Sequence, residues 1–243
     1  MAIDINRVYQ KVLALANKEQ RGYITPQEFN LFADKAQLEI FENYFHKTKM
    51  AEVKPKNQMG YADEVEMLEE KLHPFHVDES VNTATASLTL PTNTYKLIGI
   101  TRNGSKVTQL NKSQVAYTEN NPLLKANLVR SSFVREDSGV VTIYPAPSSA
   151  TYDIDTTSDG NFDQESFEVS YYKRPTAPMF GYVLLQGEAL YNSNTSINFE
   201  LHGSEEGNLV YRILMLAGLT MKQPDLQQSA MAGIQMEKQE QNS

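Results

Sequence analysis

The period of the hydrophobic pattern changes twice along this chain, and no other sequence feature restricts the fold as strongly. Apolar side chains recur at helical spacing from Ile5, alternate with a period of two from Thr83 to Leu201, and return to helical spacing after Ser204. A segment with apolar residues at helical spacing cannot bury them on one face of a strand. A segment with alternating apolar residues cannot bury them on one face of a helix. The sequence therefore predicts an α+β fold, in which N- and C-terminal helices form a helical bundle with a mostly antiparallel β-rich insertion.

Four segments follow from these changes of period. Residues 1–80 should supply the N-terminal helices of the bundle, and residues 81–202 the β-rich domain. Residues 203–221 should form the C-terminal bundle helix, since Ser204 can cap it and an apolar run follows as far as Gly218. The more polar residues 222–243 should form a helical or extended tail.

The second predicted helix has the clearest start signal in the chain. Thr25 can cap it, Pro26 suits the first helical position, and Glu28 completes a capping box. The helix should run to about Phe45, after a first helix over roughly Ile5–Gln20 and before a third over roughly Ala62–Leu72.

The second predicted helix is apolar on two sides, so it needs two packing partners. The first helix is one of them, and either the C-terminal helix or a neighbouring subunit is the other. We therefore take four of its aromatic residues as candidates for a subunit interface: Phe29, Phe32, Phe41 and Phe45.

Turn residues divide the alternating region into hairpins. Asn103-Gly104 is the strongest short hairpin signal, and a second turn is expected at 136–139. A last hairpin is expected to join Tyr182–Tyr191 to Ser196–Leu201 around Asn192-Ser193-Asn194.

Composition excludes several classes of function. The chain has 243 residues, a net charge of −8 and no cysteine, so disulfides and thiolate chemistry cannot occur. Its mild acidity extends over every segment and leaves no basic patch to hold a nucleic-acid backbone. The N-terminus does not resemble a signal peptide, and no run of about 20 apolar residues could span a bilayer.

Motifs for metal binding and catalysis are weak. His73 and His76 are close in sequence but lack a cysteine or H-E-x-x-H partner. Residues 153–165 are acidic, yet they match a calcium loop poorly and are better explained as a turn-rich connection. No nucleophile elbow, dinucleotide fingerprint or phosphate loop occurs. We therefore predict no enzymatic activity, no catalytic residue, no cofactor and no metal.

The C-terminal residues have two interpretations, a frayed terminus or an arm that orders against another protein. The second assigns interface roles to the apolar positions Leu226, Ala230 and Ile234.

Two runs of sequence resemble virion proteins of tailed phages. The run from Val8 to Phe45, VYQKVLALANKEQRGYITPQEFNLFADKAQLEIFENYF, is similar to structural proteins of crAss-like phages and their marine relatives. The end of the chain resembles head-to-tail connector, or ring, proteins of short-tailed phages. The matching residues are Leu216-Ala217-Gly218-Leu219 and Pro224-Asp225-Leu226, and the two runs cover about a third of the chain.

This resemblance implies a non-enzymatic structural subunit of the phage neck or tail. About twelve copies would form a ring that binds the portal protein and adjacent ring or tail proteins, in a virion assembled in the cytoplasm of an infected bacterium. An acidic ring would repel DNA phosphates and let the genome pass without binding. The alternative is a virion module that recognises a receptor or carbohydrate, which requires exposed aromatic clusters on the sheet.

Overall fold

The computed structural model divides the chain into two compact units. The first unit combines residues 1–74 and 175–243, and the second unit is the continuous segment 75–174. The described residues are 2–18, 24–53, 59–82, 86–127, 130–136, 139–146, 166–186, 188–220, 228 and 230–236. The predicted α+β class is confirmed.

The unit boundaries differ from the predicted segments 1–80 and 81–202, and residues 75–80 belong to the second unit. Residues 175–202 alternate in sequence, yet they belong to the helical unit. Side chains of its longest helix hydrogen-bond the backbone of this segment, as described below.

Besides a helical segment at residues 230–236, the described residues form five α-helices: α1 (Ile5–Lys18), α2 (Pro26–Val53), α3 (Met59–Leu72), α4 (Lys112–Glu119) and α5 (Glu206–Thr220). The predicted start of α2 is confirmed. The Glu28 N–H donates to Thr25 Oγ1 over 3.3 Å, and the Thr25 N–H donates to Glu28 Oε2 over 3.0 Å. Two hydrogen bonds from Thr25 lower the pKa of Glu28. The bond from the Thr25 hydroxyl has the larger effect, and the bond from the Thr25 N–H the smaller.

Helix α2 extends eight residues beyond the predicted end at Phe45 because no glycine or proline interrupts it before Pro55. Its two apolar sides have partners in the first unit: α2 packs against α3 and α5, and α1 packs against α5. The Tyr9 ring of α1 also contacts Phe29 of α2 at a centroid distance of 4.9 Å.

The described residues form ten strands: β1 (His76–Asn82), β2 (Ser87–Thr89), β3 (Thr94–Arg102), β4 (Ser105–Lys106), β5 (Thr108–Gln109), β6 (Ser132–Arg135), β7 (Val140–Tyr144), β8 (Ser166–Lys173), β9 (Tyr182–Leu185) and β10 (Glu188–Tyr191). The second unit contains two four-stranded sheets, in the orders β1-β8-β3-β4 and β2-β7-β6-β5. All of their pairings are antiparallel except β5 with β6.

One core fills the second unit with inward residues of both sheets, including Ile100, Phe133, Ile143 and Phe167. Arg102 is 2% exposed within this unit. Its Nη1 donates to the Pro145 carbonyl over 3.0 Å, and its guanidinium lies 5.6 Å from the Phe167 ring centroid.

The hairpin predicted at Asn103-Gly104 is confirmed: both residues have positive φ, and they join β3 to β4. The second predicted turn is also confirmed, since β6 pairs antiparallel with β7.

Helix α4 was not predicted. Its start signal is a capping box in which the Asn111 N–H donates to Gln114 Oε1 over 2.9 Å. The helix has only eight residues and lies between alternating segments, so its helical pattern was not recognised.

The turn of the last predicted hairpin was placed at the wrong residues. Residues Tyr182–Tyr191 themselves fold into the β9–β10 hairpin, which turns at Gln186, where φ is +53°. Asn192 instead caps a 3-10 turn at Ser193–Thr195, because its side chain accepts the Asn194 N–H. A two-residue loop in which a residue with positive φ stands next to a glycine closes a tighter hairpin than a loop of the three residues Asn-Ser-Asn would.

Candidate protein-interaction site

The β9–β10 hairpin in the first unit exposes a continuous apolar face. Val183 lies opposite Leu190, and Leu185 opposite Glu188, so these four side chains share one face of the two-stranded sheet. The three apolar side chains are 49–60% exposed. We call Val183, Leu185, Glu188 and Leu190 the hairpin face.

Two features make the hairpin face a candidate interaction site. A two-stranded hairpin is marginal in water unless another element packs on it, and among the described residues β9 and β10 pair only with each other. Natural proteins protect open strand edges with charged residues, whereas Glu188 is the one charge between Tyr182 and Tyr191. An apolar face left in water at an unprotected edge is typical of a surface that another protein covers.

The base of the hairpin is anchored by an aromatic cluster in the first unit, although Leu184 on the opposite face is 66% exposed. Phe180, 1% exposed, lies two residues before β9. Its ring centroid lies 4.4 Å from Tyr9, 5.3 Å from Tyr191 and 6.2 Å from Phe29. Offset and edge-on contacts at these distances are favourable. The hairpin therefore leaves the helical unit from a packed base.

Two amide side chains of α2 fix the backbone next to the hairpin. Asn30 Oδ1 accepts the Phe180 N–H over 2.7 Å, and Asn30 Nδ2 donates to the Phe180 carbonyl over 3.3 Å. Seven residues along the same helix, Gln37 Nε2 donates to the Thr176 carbonyl over 2.8 Å, and Gln37 Oε1 accepts the Glu200 N–H over 3.1 Å. Together with the backbone bridge between Ile3 and Phe199, these side chains tie residues 175–202 to the helical unit.

Gly181 sets the close packing at the base of the hairpin. A Cβ at this position would lie 2.1 Å from Thr195 Oγ1, 2.8 Å from the Thr195 carbonyl carbon and 3.0 Å from the Asn192 carbonyl oxygen. Two of these atoms belong to the backbone and cannot move aside by a side-chain rotation. Only glycine fits this crossing of two chain segments.

Replacing Gly181 by alanine is expected to destabilise the protein by about 1–3 kcal/mol, because the new methyl group overpacks the hairpin base. The free energy of unfolding, measured by urea denaturation, checks this. Gly99, where a Cβ would meet nothing within 4 Å, is the matched control, and Gly99→Ala should be nearly neutral. Equal effects of the two variants would contradict the close approach at Gly181.

A second feature of the first unit is an apolar groove between α1 and α5. Its volume is about 350 Å³, and its lining consists of Lys11, Ala14, Leu15, Gly207, Val210 and Tyr211. At its edge, Arg7 and Lys11 both form ion pairs with Glu206, the latter at 2.7 Å. Two cations share one carboxylate, so these three groups carry a net positive charge.

A buried ionic network connects α2, α3 and the start of α5. Lys71 Nζ lies 2.7 Å from Glu205 Oε1, with side chains only 11% and 3% exposed. Asn208 Nδ2 donates to Glu205 Oε2 over 2.9 Å, and Arg212 Nε donates to Asn208 Oδ1 over 3.1 Å. The chain of contacts ends at the ion pair of Arg212 with Glu39, at 3.3 Å.

Opposing effects act on the Glu205 carboxyl. Burial raises its pKa, but the hydrogen bonds from Lys71 and Asn208 and the positive charge of Lys71 outweigh burial, so the pKa of Glu205 lies below 4.5. The neighbouring hydroxyl of Tyr44 has a raised pKa, first because it is buried and second because of the charge on Glu205. Satisfied ionic groups of this kind hold helices together and need no catalytic role.

The structure places the predicted interface residues at different depths. Phe29 and Phe41 are fully buried in the core of the first unit, so neither is accessible to another subunit. Phe41 packs on Phe45, with ring centroids 5.1 Å apart. Phe32 and Phe45 are only partly buried. The helix partners that α2 required are therefore supplied largely by the chain itself.

The predicted tail contacts are also partly internal. Residues 230–236 are helical, Ala230 is 3% exposed and Ile234 is partly buried, whereas Leu226 lies outside the described residues. A Cβ at Gly233 would lie 2.8–3.0 Å from ring atoms of Tyr211, so this helical segment rests directly on α5. Ala230 is covered within the chain and is not available to a partner.

Other candidates from the sequence do not form a chemical site in the described residues. The acidic segment 153–165 lies outside them. No group of three or more metal-ligating side chains occurs in the described part of the chain. Tyr171 is buried, and its neighbour Tyr172 is partly exposed, as the alternation predicted. No helix in the described ranges is long and apolar enough to cross a membrane.

The hairpin face was missed because the sequence places its residues in one long strand. With the turn assigned to Asn192, Val183 and Leu190 belong to the same strand and their pairing is not visible. Gln186-Gly187 could have shown the turn, since a residue with positive φ before glycine suits a two-residue hairpin loop.

No protein-family model matches the chain, and no curated protein is significantly similar to it. The fold and the site define a class only: an α+β protein that exposes, among the described residues, an apolar hairpin on its helical unit.

Proposed function

We propose that this protein is a non-enzymatic structural subunit of a phage neck or tail, which forms a homo-oligomeric ring between the portal and the tail. The hairpin face carries the proposal, because it presents an apolar surface on a packed base where a partner protein can bind. The similarity of the two terminal runs to phage virion proteins supports the same assignment.

In this proposal the helices of the first unit form the bundle of the ring subunit, and the second unit is the β-rich insertion. The remaining part of the C-terminal tail, beyond the helical segment on α5, docks on the portal or on an adjacent ring. About twelve copies close the ring, as cyclic symmetry allows. The net charge of −8 per copy lines the ring with negative charge, so DNA passes without binding.

The test is the mass of the purified protein in solution, measured by light scattering over a range of concentrations, alone and with a candidate portal protein. We expect a closed multimer near about twelve copies, or a monomer that joins the portal at a fixed ratio. The variant Leu185→Asp should weaken this association by about tenfold or more, because a carboxylate buried at an interface without a partner costs more than about 1.4 kcal/mol.

The matched control for Leu185→Asp is Leu123→Asp. Leu123 lies after α4 in the second unit and is 83% exposed, so it undergoes the same change of side chain at an exposed position outside the hairpin face. Its variant should associate like the wild type. A wild-type chain that stays monomeric at all concentrations and ignores the portal would contradict the proposed function.

A further inference from the structure

We propose that the hairpin face of one copy docks into the α1–α5 groove of the next copy. This inference rests on the proposed function, since it names the partner surface of the same hairpin. Both surfaces belong to the first unit, at different places on it, and both are open: Leu185 is 60% exposed and Leu15 is 40% exposed.

The two surfaces are complementary in shape and chemistry. Leu185 is the last residue of β9, so the hairpin presents it next to its turn as a projecting apolar side chain. The groove is concave and lined by Ala14, Leu15 and Val210, with space of about 350 Å³ that apolar side chains can fill. Burying apolar surface on both sides removes it from water, at roughly 25 cal/mol per Å² before the costs of association.

The charges of the two surfaces are also complementary. Glu188 lies opposite Leu185 on the hairpin face and is its single charged group. In the groove, Lys11 is part of the lining and its side chain is 52% exposed, so beyond its ion pair with Glu206 it can also face a carboxylate of another copy. Each copy carries −8 overall and repels its neighbours, so contact between Glu188 and Lys11 favours this approach over others.

The geometry also fixes the kind of assembly. A contact between two different surfaces is heterologous, so a growing assembly keeps one free hairpin at one end and one free groove at the other until it closes. A heterologous contact gives a ring when its rotation closes and an open filament when it does not, whereas pairing of two hairpins would stop at a two-fold dimer. The hairpin-in-groove contact is therefore of the kind that a ring requires.

The absence of cysteine from the sequence allows a direct test by cross-linking. One cysteine is placed on the hairpin by Leu185→Cys and one in the groove by Leu15→Cys, and the full-length protein is treated with a short bismaleimide. The double variant should give a ladder of covalent multimers, and an equal mixture of the two single variants should give dimers only. Yield should exceed that of the pair Leu185→Cys and Leu123→Cys about tenfold, since docking raises the local concentration of one thiol around the other.

A charge exchange supplies a second readout. Glu188→Lys alone should lower the cross-linking yield severalfold, and adding Lys11→Glu should restore most of it, as a double-mutant cycle shows for two groups in contact. Both side chains are exposed, so neither change removes a core contact; Lys11→Glu also breaks the ion pair with Glu206, and Lys11→Glu alone is therefore the fourth member of the cycle.

Two results would overturn the inference and leave the proposed function intact. One is a multimer in light scattering whose double variant gives no cross-link above the Leu123→Cys control. The other is efficient cross-linking of the Leu185→Cys variant to itself, which would show hairpin-to-hairpin pairing. A chain that stays monomeric at all concentrations and also ignores the portal overturns both the inference and the proposed function.

Discussion

Replacing Lys71 by methionine is expected to lower the free energy of unfolding by about 3–5 kcal/mol, because it leaves the carboxylate of Glu205 buried without its cation. The two groups are 2.7 Å apart and almost fully covered. Methionine has a similar length and no charge, so the lost ion pair dominates the effect. Urea denaturation at pH 7 measures it.

The double variant Lys71→Met, Glu205→Leu is the matched control. Removing both charges leaves an apolar pair, so it should recover most of the lost stability. A double variant as unstable as Lys71→Met alone would show that packing around Lys71, and not its charge, holds the helices.

The pH dependence of the same pair has a definite sign. The pKa of Glu205 is lowered in the folded state, so its contribution is present above the unfolded-state value near 4.5 and is lost as the pH falls through the folded-state value. In Lys71→Met the largest lowering cause is gone, so we expect the pKa of Glu205 to rise and protonation to relieve the unpaired charge. The stability difference between wild type and variant should therefore shrink from pH 7 to pH 4.

Replacing Phe180 by alanine is expected to cost about 3–5 kcal/mol, the range for removing a fully buried phenylalanine. Its ring is shared by Tyr9, Phe29 and Tyr191, so the cavity would open between α1, α2 and the hairpin. Thermal unfolding measures the loss of stability. The same variant should also associate less well, because the hairpin loses its base.

Val183→Ala and Leu190→Ala are the controls for the hairpin itself. Both side chains lie on the exposed hairpin face, so each change should alter stability by less than about 0.5 kcal/mol. Comparing these two variants with Phe180→Ala separates residues that stabilise the hairpin from residues that are exposed for a partner to bind. A large loss of stability in Val183→Ala would mean that the hairpin face is packed within the monomer.

Several elements were predictable because their signals are local. The capping box at Thr25 and Glu28 fixes the start of α2 through bonds between residues three apart, and Asn103-Gly104 fixes a hairpin through backbone conformation alone. The mixed α+β class follows from periodicity, which depends on each segment having one buried face. Boundaries were less certain, as the extension of α2 to Val53 shows.

The candidate site was harder to predict because it depends on contacts between distant residues. Asn30 and Gln37 look like ordinary polar positions of a helix, and only their bonds to Phe180, Thr176 and Glu200 show that they hold another segment. Phe29 and Phe41 were assigned to an interface because a helix apolar on two sides can bury them in its own chain or in a neighbour. The periodicity is the same in both cases.

The sequence by itself determined the fold class, the separation into helical and alternating regions, and the absence of cysteine chemistry. Only the tertiary structure decided which unit residues 175–202 join and which apolar residues stay exposed. The physical reason is that local signals depend on backbone preferences within a few residues. Burial depends instead on which surfaces meet. Gln37 acquires its role from backbone groups more than a hundred residues away, and Leu185 from remaining exposed on the hairpin.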